Sequence, residues 1–422
     1  MTVWYDFTTT LRNAGRNGIA AVEWNLGTAL LDTETDVRCF ALRDRRGLTE
    51  IDPRTDLHAA FYASATAIAK PLVTRSLPTW RSRARAAMAP IRGRYADPVV
   101  AAIASLHRWQ VVARRSASRS LNRTLTAARR PALADRVGAT DIVVSVGADW
   151  SGDLLERLID LKHRTGCRVV TMVYDMIPLT HSHLAFHNEP ALFAAYYARL
   201  TAVSDLVLCI SEQSRQDLVR LAAQRDWPLS DTAVLRLGEA RPDYQEAVAR
   251  EDFYLWVGTV ERRKNLELIY DALRIIESEG REVPRVVVAG ALGWGVDDLV
   301  AELDLQSTGA SRAIVLLGPV DEETLDDLYR RARALLFPSQ YEGWGLPVRE
   351  AAVRGCPVAA GDSPAVREAL AGYAAGLLLP VDDPGPWAEY LCRSPKQAAE
   401  PVPVHTWSAA ASQLMRHLSG IG

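Results

Sequence analysis

The sequence predicts an α/β protein made of two doubly wound parallel-sheet domains facing a central cleft, and three observations carry that expectation. The chain has 422 residues, more than one ordinary hydrophobic core organises. Short β-branched apolar runs alternate with amphipathic segments in both halves, the pattern of parallel strands joined by covering helices. A polar stretch around 238–252, carrying Pro242, separates the halves. The domains therefore read as 1–245 and 246–422.

In the first half the expected strands are Thr2–Phe7, Val37–Leu42, Asp141–Val146, Cys167–Tyr174, Leu206–Ile210 and Thr232–Leu237. Arg16–Ala20 reads as a glycine turn before a helix over Val22–Leu31, and the Arg- and Ala-rich region up to about Arg136 as mainly helical. The second half repeats the scheme at Phe253–Val257, Arg285–Ala289, Ala313–Leu317, Ala334–Phe337, Pro357–Ala360 and Gly376–Leu379. Asn265–Glu279 and Glu322–Ala334 have helical periodicity. A final amphipathic helix is expected over 407–418, with Trp407, Leu414, Met415 and Leu418 on one side.

Composition narrows the function classes. With 48% hydrophobic and 24% charged residues the chain is globular, and no apolar run is long enough to span a bilayer. Five scattered cysteines form no metal or disulfide spacing, so the expected location is cytoplasmic. The net charge of −2 hides a basic insertion over 70–136, with fifteen Lys or Arg against two Asp, a local balance of +13. Interleaved Leu77, Trp80, Ile91 and Trp109 make that segment either a solvated helical face or a surface for anionic lipid headgroups at the inner membrane. No nucleic-acid recognition motif accompanies the charge, and nucleic acid is not expected as a partner.

The segment with the most chemistry is Tyr341-Glu-Gly-Trp-Gly-Leu-Pro-Val-Arg-Glu350. It sets Glu342 and Glu350 around a glycine loop that opens a helix, with Pro347 in the first turn. Gly343 and Gly345 leave backbone amides open to close approach, and a helix start attracts anions. A diphosphate fits those amides. A carboxylate in that first turn can accept from both hydroxyls of a ribose diol. Val257-Gly-Thr-Val-Glu-Arg-Arg-Lys-Asn265 supplies a second anion site, in which Gly258 and Thr259 precede the cations Arg263 and Lys264. Fixed cations stabilise the charge that a departing nucleoside diphosphate develops.

In the first half, Asp175 follows a strand and faces the expected cleft, although an Asp there also suits a helix cap. Gly18 is either an ordinary turn glycine or a residue that leaves room for an acceptor. His181, His183 and His187 read as loop residues rather than metal ligands. No Asp-x-Asp pair occurs, so no metal site and no cofactor are expected beyond the donor itself. Ser211 reads as a helix cap. No dinucleotide fingerprint follows either first strand, which disfavours a dehydrogenase.

These motifs resemble family 4 of the glycosyltransferases, the retaining group with the GT-B fold of two Rossmann-like domains. The resemblance runs through 257–265, Gly290–Gly295, Leu317–Glu323, Phe337–Ala351 and Gly355–Val358, and more thinly through Gly18-Ile19, Tyr174–Pro178 and Ser204–Glu212. It implies that Glu350 holds the donor ribose and that Glu342 contacts the transferred sugar. Arg263 and Lys264 would neutralise the diphosphate beside the amides of Gly345 and Leu346, and Pro319 and Val320 would border the base. Many members carry Arg at the position of Thr259, which implies that the diphosphate depends more heavily on Arg263 here, and many carry His at that of Tyr174, so the acceptor side departs from the pattern. Within the group the chain looks like bacterial mannosyl- and rhamnosyltransferases of surface polysaccharide assembly. That implies a GDP-mannose donor, a saccharide or lipid-linked saccharide acceptor, transfer with retention and no metal. Two other readings stay open at this level: transfer to a soluble natural-product acceptor, and a non-catalytic binding module.

Overall fold

The computed structural model describes residues 1–13, 18–33, 35–43, 47–53, 132–149, 153–185, 189–239, 249–294, 309–393 and 399–421, together with positions 296, 299 and 301. Most of the basic insertion, His187 and the middle of the interdomain linker lie outside these residues.

The first sheet has seven strands: β1 Val3–Asp6, β2 Val37–Arg43, β3 Gly47–Ile51, β4 Ile142–Ser145, β5 Arg168–Val173, β6 Leu206–Cys209 and β7 Asp231–Val234. They lie in the order β3-β2-β1-β4-β5-β6-β7, parallel except for β3, which pairs antiparallel with β2. β3 is a strand that the sequence reading did not name, lying ahead of the Arg- and Ala-rich region expected to be mainly helical, most of which is outside the described residues. Its five residues are too few and too polar for an apolar run to betray it. The expected turn at Gly18 is corrected, since the helix Gly18–Leu31 already begins there.

The second sheet has six parallel strands: β8 Tyr254–Val257, β9 Val286–Ala289, β10 Ile314–Gly318, β11 Leu335–Phe337, β12 Val358–Gly361 and β13 Gly376–Leu379. Their order is β10-β9-β8-β11-β12-β13. The order reverses at β8, so the loops after β8 and β11 stand side by side at the carboxyl edge, where such sheets bind ligands.

Side-chain alternation along each strand divides each domain into two cores. Val3, Tyr5 and Phe7 join one cluster, whereas Trp4 belongs to the opposite face. In the second sheet Tyr254 and Trp256 face the helices Leu266–Ser278 and Pro384–Arg393. Leu255 and Val257 face the opposite cluster with Val348, Ala351 and Val366.

The terminal helix, Trp407–Ser419, crosses back. Its buried Ala410, Ala411, Leu414 and Leu418 complete the first domain's core beside Val22, Leu26 and Leu30. Sequence order grouped it with the second domain, but its apolar stripe finds its partner on the helix Gly18–Leu31. Among the described residues no helix is long and apolar enough to cross a membrane.

Leu414 is fully buried, so Leu414→Ala should cost about 2–5 kcal/mol. Amide hydrogen exchange of β1 in mild denaturant should register the loss, because Val3, Tyr5 and the helix share that core. Unchanged β1 exchange would return the helix to the second domain.

Candidate active site

The two chemically loaded loops are tied together by one asparagine. After β8 a single helical turn, Arg262–Lys264, ends at Asn265, which is held left-handed at φ 56° and ψ 42°. The Asn265 side-chain amide donates to the carbonyls of Pro338 (3.3 Å) and Val381 (2.9 Å), at the ends of β11 and β13. Gln340 N in turn donates to the Arg263 carbonyl at 3.0 Å. Both loops thus share one frame.

Within that frame Glu342 is gripped by two cations. Lys264 Nζ lies 2.5 Å from Oε1, and an Arg263 guanidinium nitrogen 2.7 Å from Oε2. All three side chains are largely buried, with exposures of 9–15%. Arg263 also donates to Glu261 (2.6 Å) and to the Tyr341 carbonyl (2.9 Å). Lys264 sits 5.0 Å from the centre of the Phe337 ring. Burial pushes the Glu342 pKa up, but Arg263 and then Lys264 overcome it and hold the carboxylate at about 2. For Lys264 burial prevails, and its pKa is lowered despite Glu342.

Asp175 closes the site from the first domain. Burial raises its pKa, with Arg263 the leading opposing charge and Glu342 adding to the rise. Its Oδ1 accepts from Ile177 N at 3.0 Å, just before the short helix Ile177–Thr180, whose N-cap position is Met176. Gly343 makes this approach sterically feasible. A Cβ there would stand 2.3 Å from the Tyr174 carbonyl oxygen and 3.1 Å from Asp175 Cβ.

The glycine loop enters the helix Leu346–Ala352 through Gly345, at φ 108°, a conformation that other residues rarely adopt. Among the described residues the amides of Gly345 and Leu346 donate to no protein acceptor. Glu350 is the fifth residue of this helix, a turn later than expected. One of its oxygens accepts from Tyr329 Oη at 2.8 Å, and burial raises its pKa against Tyr329 and Arg354.

The remaining expected residues are spread around this centre. Gly258 borders the Lys264 stem, and Thr259 is exposed. Pro319 and Val320 follow β10, separated from β8 by β9. The Tyr174 hydroxyl is already committed to the Val146 carbonyl at 2.7 Å, so the backbone of Tyr174 is what meets the second domain. Gly18 is exposed at a helix start, with open space where a Cβ would go. His181 stacks on Tyr341 with ring centroids 4.0 Å apart. Among the described residues no group of three or more His, Cys, Asp or Glu is placed to hold a metal.

Sequence reasoning missed Tyr341, whose hydroxyl reaches Gln213 and Asp217, and Glu261, which orients Arg263. It also took Ser211 as a cap alone. Ser211 does cap Ser214 N at 3.0 Å, yet its hydroxyl also donates to the Gly343 carbonyl at 2.6 Å across the cleft. Glu261 stood in a quoted motif, so a charge count around Arg263 was available. Nothing in sequence spacing announces the cross-domain contacts.

A family model described as "Glycosyl transferases group 1" matches residues 242–394, the extent of the second domain. The second domain is similar to the group 1 glycosyl transferases. Its relatives include the serotype-specific mannosyltransferase WbdA of Escherichia coli, 28% identical over 302 residues, covering 65% of this chain and 37% of that protein. The O-antigen chain mannosyltransferase B of Escherichia coli is 32% identical over 165 residues, 36% of this chain and 42% of that one. The chain thus spans about two fifths of the length of these curated relatives. Sucrose-phosphate synthase of Thermosynechococcus elongatus superposes with a TM-score of 0.56 over 100% of both chains at 16% identity. Anabaena Alr3699/HepE with UDP and glucose gives 0.59 over 99% of each at 14% identity. Identities this low establish the fold, and the fold is GT-B.

Because the folded pKa of Glu342 lies below its ordinary 4.5, the pairing contributes stability fully present above pH 4.5. It is lost as pH falls toward about 2. Glu342→Gln leaves buried Lys264 without its carboxylate and Arg263 with Glu261 alone, and should cost roughly 3–5 kcal/mol at neutral pH. Urea unfolding from pH 7 down to pH 3 should show the deficit narrowing in acid. A deficit independent of pH would refute the charge assignment.

Proposed function

We propose that this chain is a retaining, metal-independent glycosyltransferase that moves a mannosyl group from GDP-mannose to a saccharide acceptor carried on a lipid. The reading is carried by one observation. Two buried cations share a single carboxylate beside unengaged amides at the carboxyl edge of the second sheet. Arg263 and Lys264 take the charge that develops on the departing diphosphate, and the amides of Gly345 and Leu346 support the same group. Glu350 accepts from the ribose diol, and Pro319 and Val320 border the base. Glu342, held by the cations near Asp175, contacts the transferred sugar where it meets the acceptor. The acceptor enters along the first domain past Gly18 and Tyr174. Its hydroxyl is deprotonated by the departing phosphate on the face from which it attacks, which keeps the anomeric configuration. The mannosyl assignment is supported by the names of the two Escherichia coli relatives. The +13 balance of 70–136 supports a lipid-linked acceptor at an anionic, cytoplasmic membrane face.

Lys264→Ala should lower turnover by about two to three orders of magnitude, the scale of losing one preorganised electrostatic donor. Near-normal turnover contradicts the assignment. Glu350→Ala should raise the donor Kd, and an unchanged Kd moves the ribose elsewhere. In a thermal-shift panel of GDP, UDP, ADP and dTDP, GDP should raise the melting temperature most. A larger shift with another nucleotide replaces the donor. Sedimentation with anionic vesicles at low salt tests the membrane, and no association removes the lipid-linked acceptor.

A further inference from the structure

We propose that Glu368 and the start of the first-domain helix Glu212–Gln224 form an interdomain latch that sets the loop bearing Glu342 in register with Asp175. The consequence for turnover rests on the function proposed above, whereas the latch itself does not. Glu368 lies near the end of the second-domain helix Pro364–Ala369. Its Oε2 accepts from Glu212 N at 2.9 Å and its Oε1 from Gln213 N at 2.8 Å. Amides at a helix start have no partner within the helix, and a carboxylate there also meets the positive end of the helix dipole. Both oxygens of one domain's acid are therefore spent on the other domain's backbone.

The same helix start grips the catalytic loop at two further points. Ser211 Oγ and Ser214 Oγ reach the Gly343 carbonyl at 2.6 and 3.2 Å. Gln213 Nε2 donates to the Tyr341 hydroxyl at 2.9 Å, and that hydroxyl also meets Asp217. Tyr341 and Gly343 flank Glu342. A domain rotation that frees Glu368 must therefore also draw Gly343 away from the Tyr174 carbonyl. Glu368 touches none of Arg263, Lys264, Glu342 or Glu350, so it is a positioning residue that acts through the helix.

The test uses full-length protein and the variants Glu368→Ala and Glu368→Gln, followed by peptide-level amide hydrogen exchange. Segments 211–214 and 340–346 should both exchange at least about fivefold faster in Glu368→Ala, with β1 and β8 unchanged. Glu368→Gln, which keeps one acceptor oxygen, should fall between. Unchanged exchange at 340–346 in both variants overturns the latch. With GDP-mannose as donor, kcat should drop about tenfold while the donor KM moves less than about twofold, because positioning rather than affinity is lost. A KM rise matching the kcat loss makes Glu368 a donor-site residue and overturns the proposal. If the wild type transfers no mannose, the functional reading fails, and the exchange result still decides the latch.

Discussion

The Glu342 carboxylate between Arg263 and Lys264 is the constraint around which the rest of the second domain is arranged. Three charged side chains in a largely buried place carry a desolvation cost that only close pairing offsets. That pairing requires two loops from neighbouring strands to arrive in fixed register. Asn265 supplies the register through its carbonyl contacts, and Glu261 and the Tyr341 carbonyl orient Arg263 from behind. The outcome is a preorganised pair of cations held on one buried carboxylate.

A second buried charge node stands where the chain passes between domains. Glu239, on the outgoing segment, accepts from Arg349 at 2.7 Å, from Arg236 at 3.1 Å and from His405 N at 3.0 Å on the returning segment. Burial raises its pKa, but Arg349 and the His405 amide outweigh that and the acid is held lowered. Arg349 precedes Glu350 on the same helix, so the crossover is mechanically joined to the carboxylate assigned to the ribose. Gly238 packs directly against Trp407 at the root of the terminal helix. The two passages of chain thus meet side by side at Glu239.

Most of the second domain was legible because its strands are short, apolar and evenly spaced, and because its loops carry dense motifs. Gly376–Leu379 matched to the residue, and the other strand ends moved by a residue or so. Legibility failed where local pattern is weak. β3 is a brief polar edge strand whose identity comes from pairing with β2. Gly18 begins a helix because the following residues bury Ala20, Val22 and Leu26, which outweighs the turn preference of glycine. Ser211 looked like a cap and is one, but its second hydrogen bond reaches a residue 132 positions away.

The sequence by itself determined the periodicities, and with them two doubly wound sheets, the strand-to-loop boundaries and the residue types at each carboxyl edge. Local spacing suffices for those, since alternation along a strand and recurrence along a helix are properties of neighbouring residues. Tertiary structure alone decided which distant groups meet. It placed Lys264 and Arg263 on the same carboxylate, set Asp175 opposite them, and returned the terminal helix to the first domain's core. Those outcomes depend on burial and electrostatic pairing summed over the folded chain, and no window of sequence contains both partners.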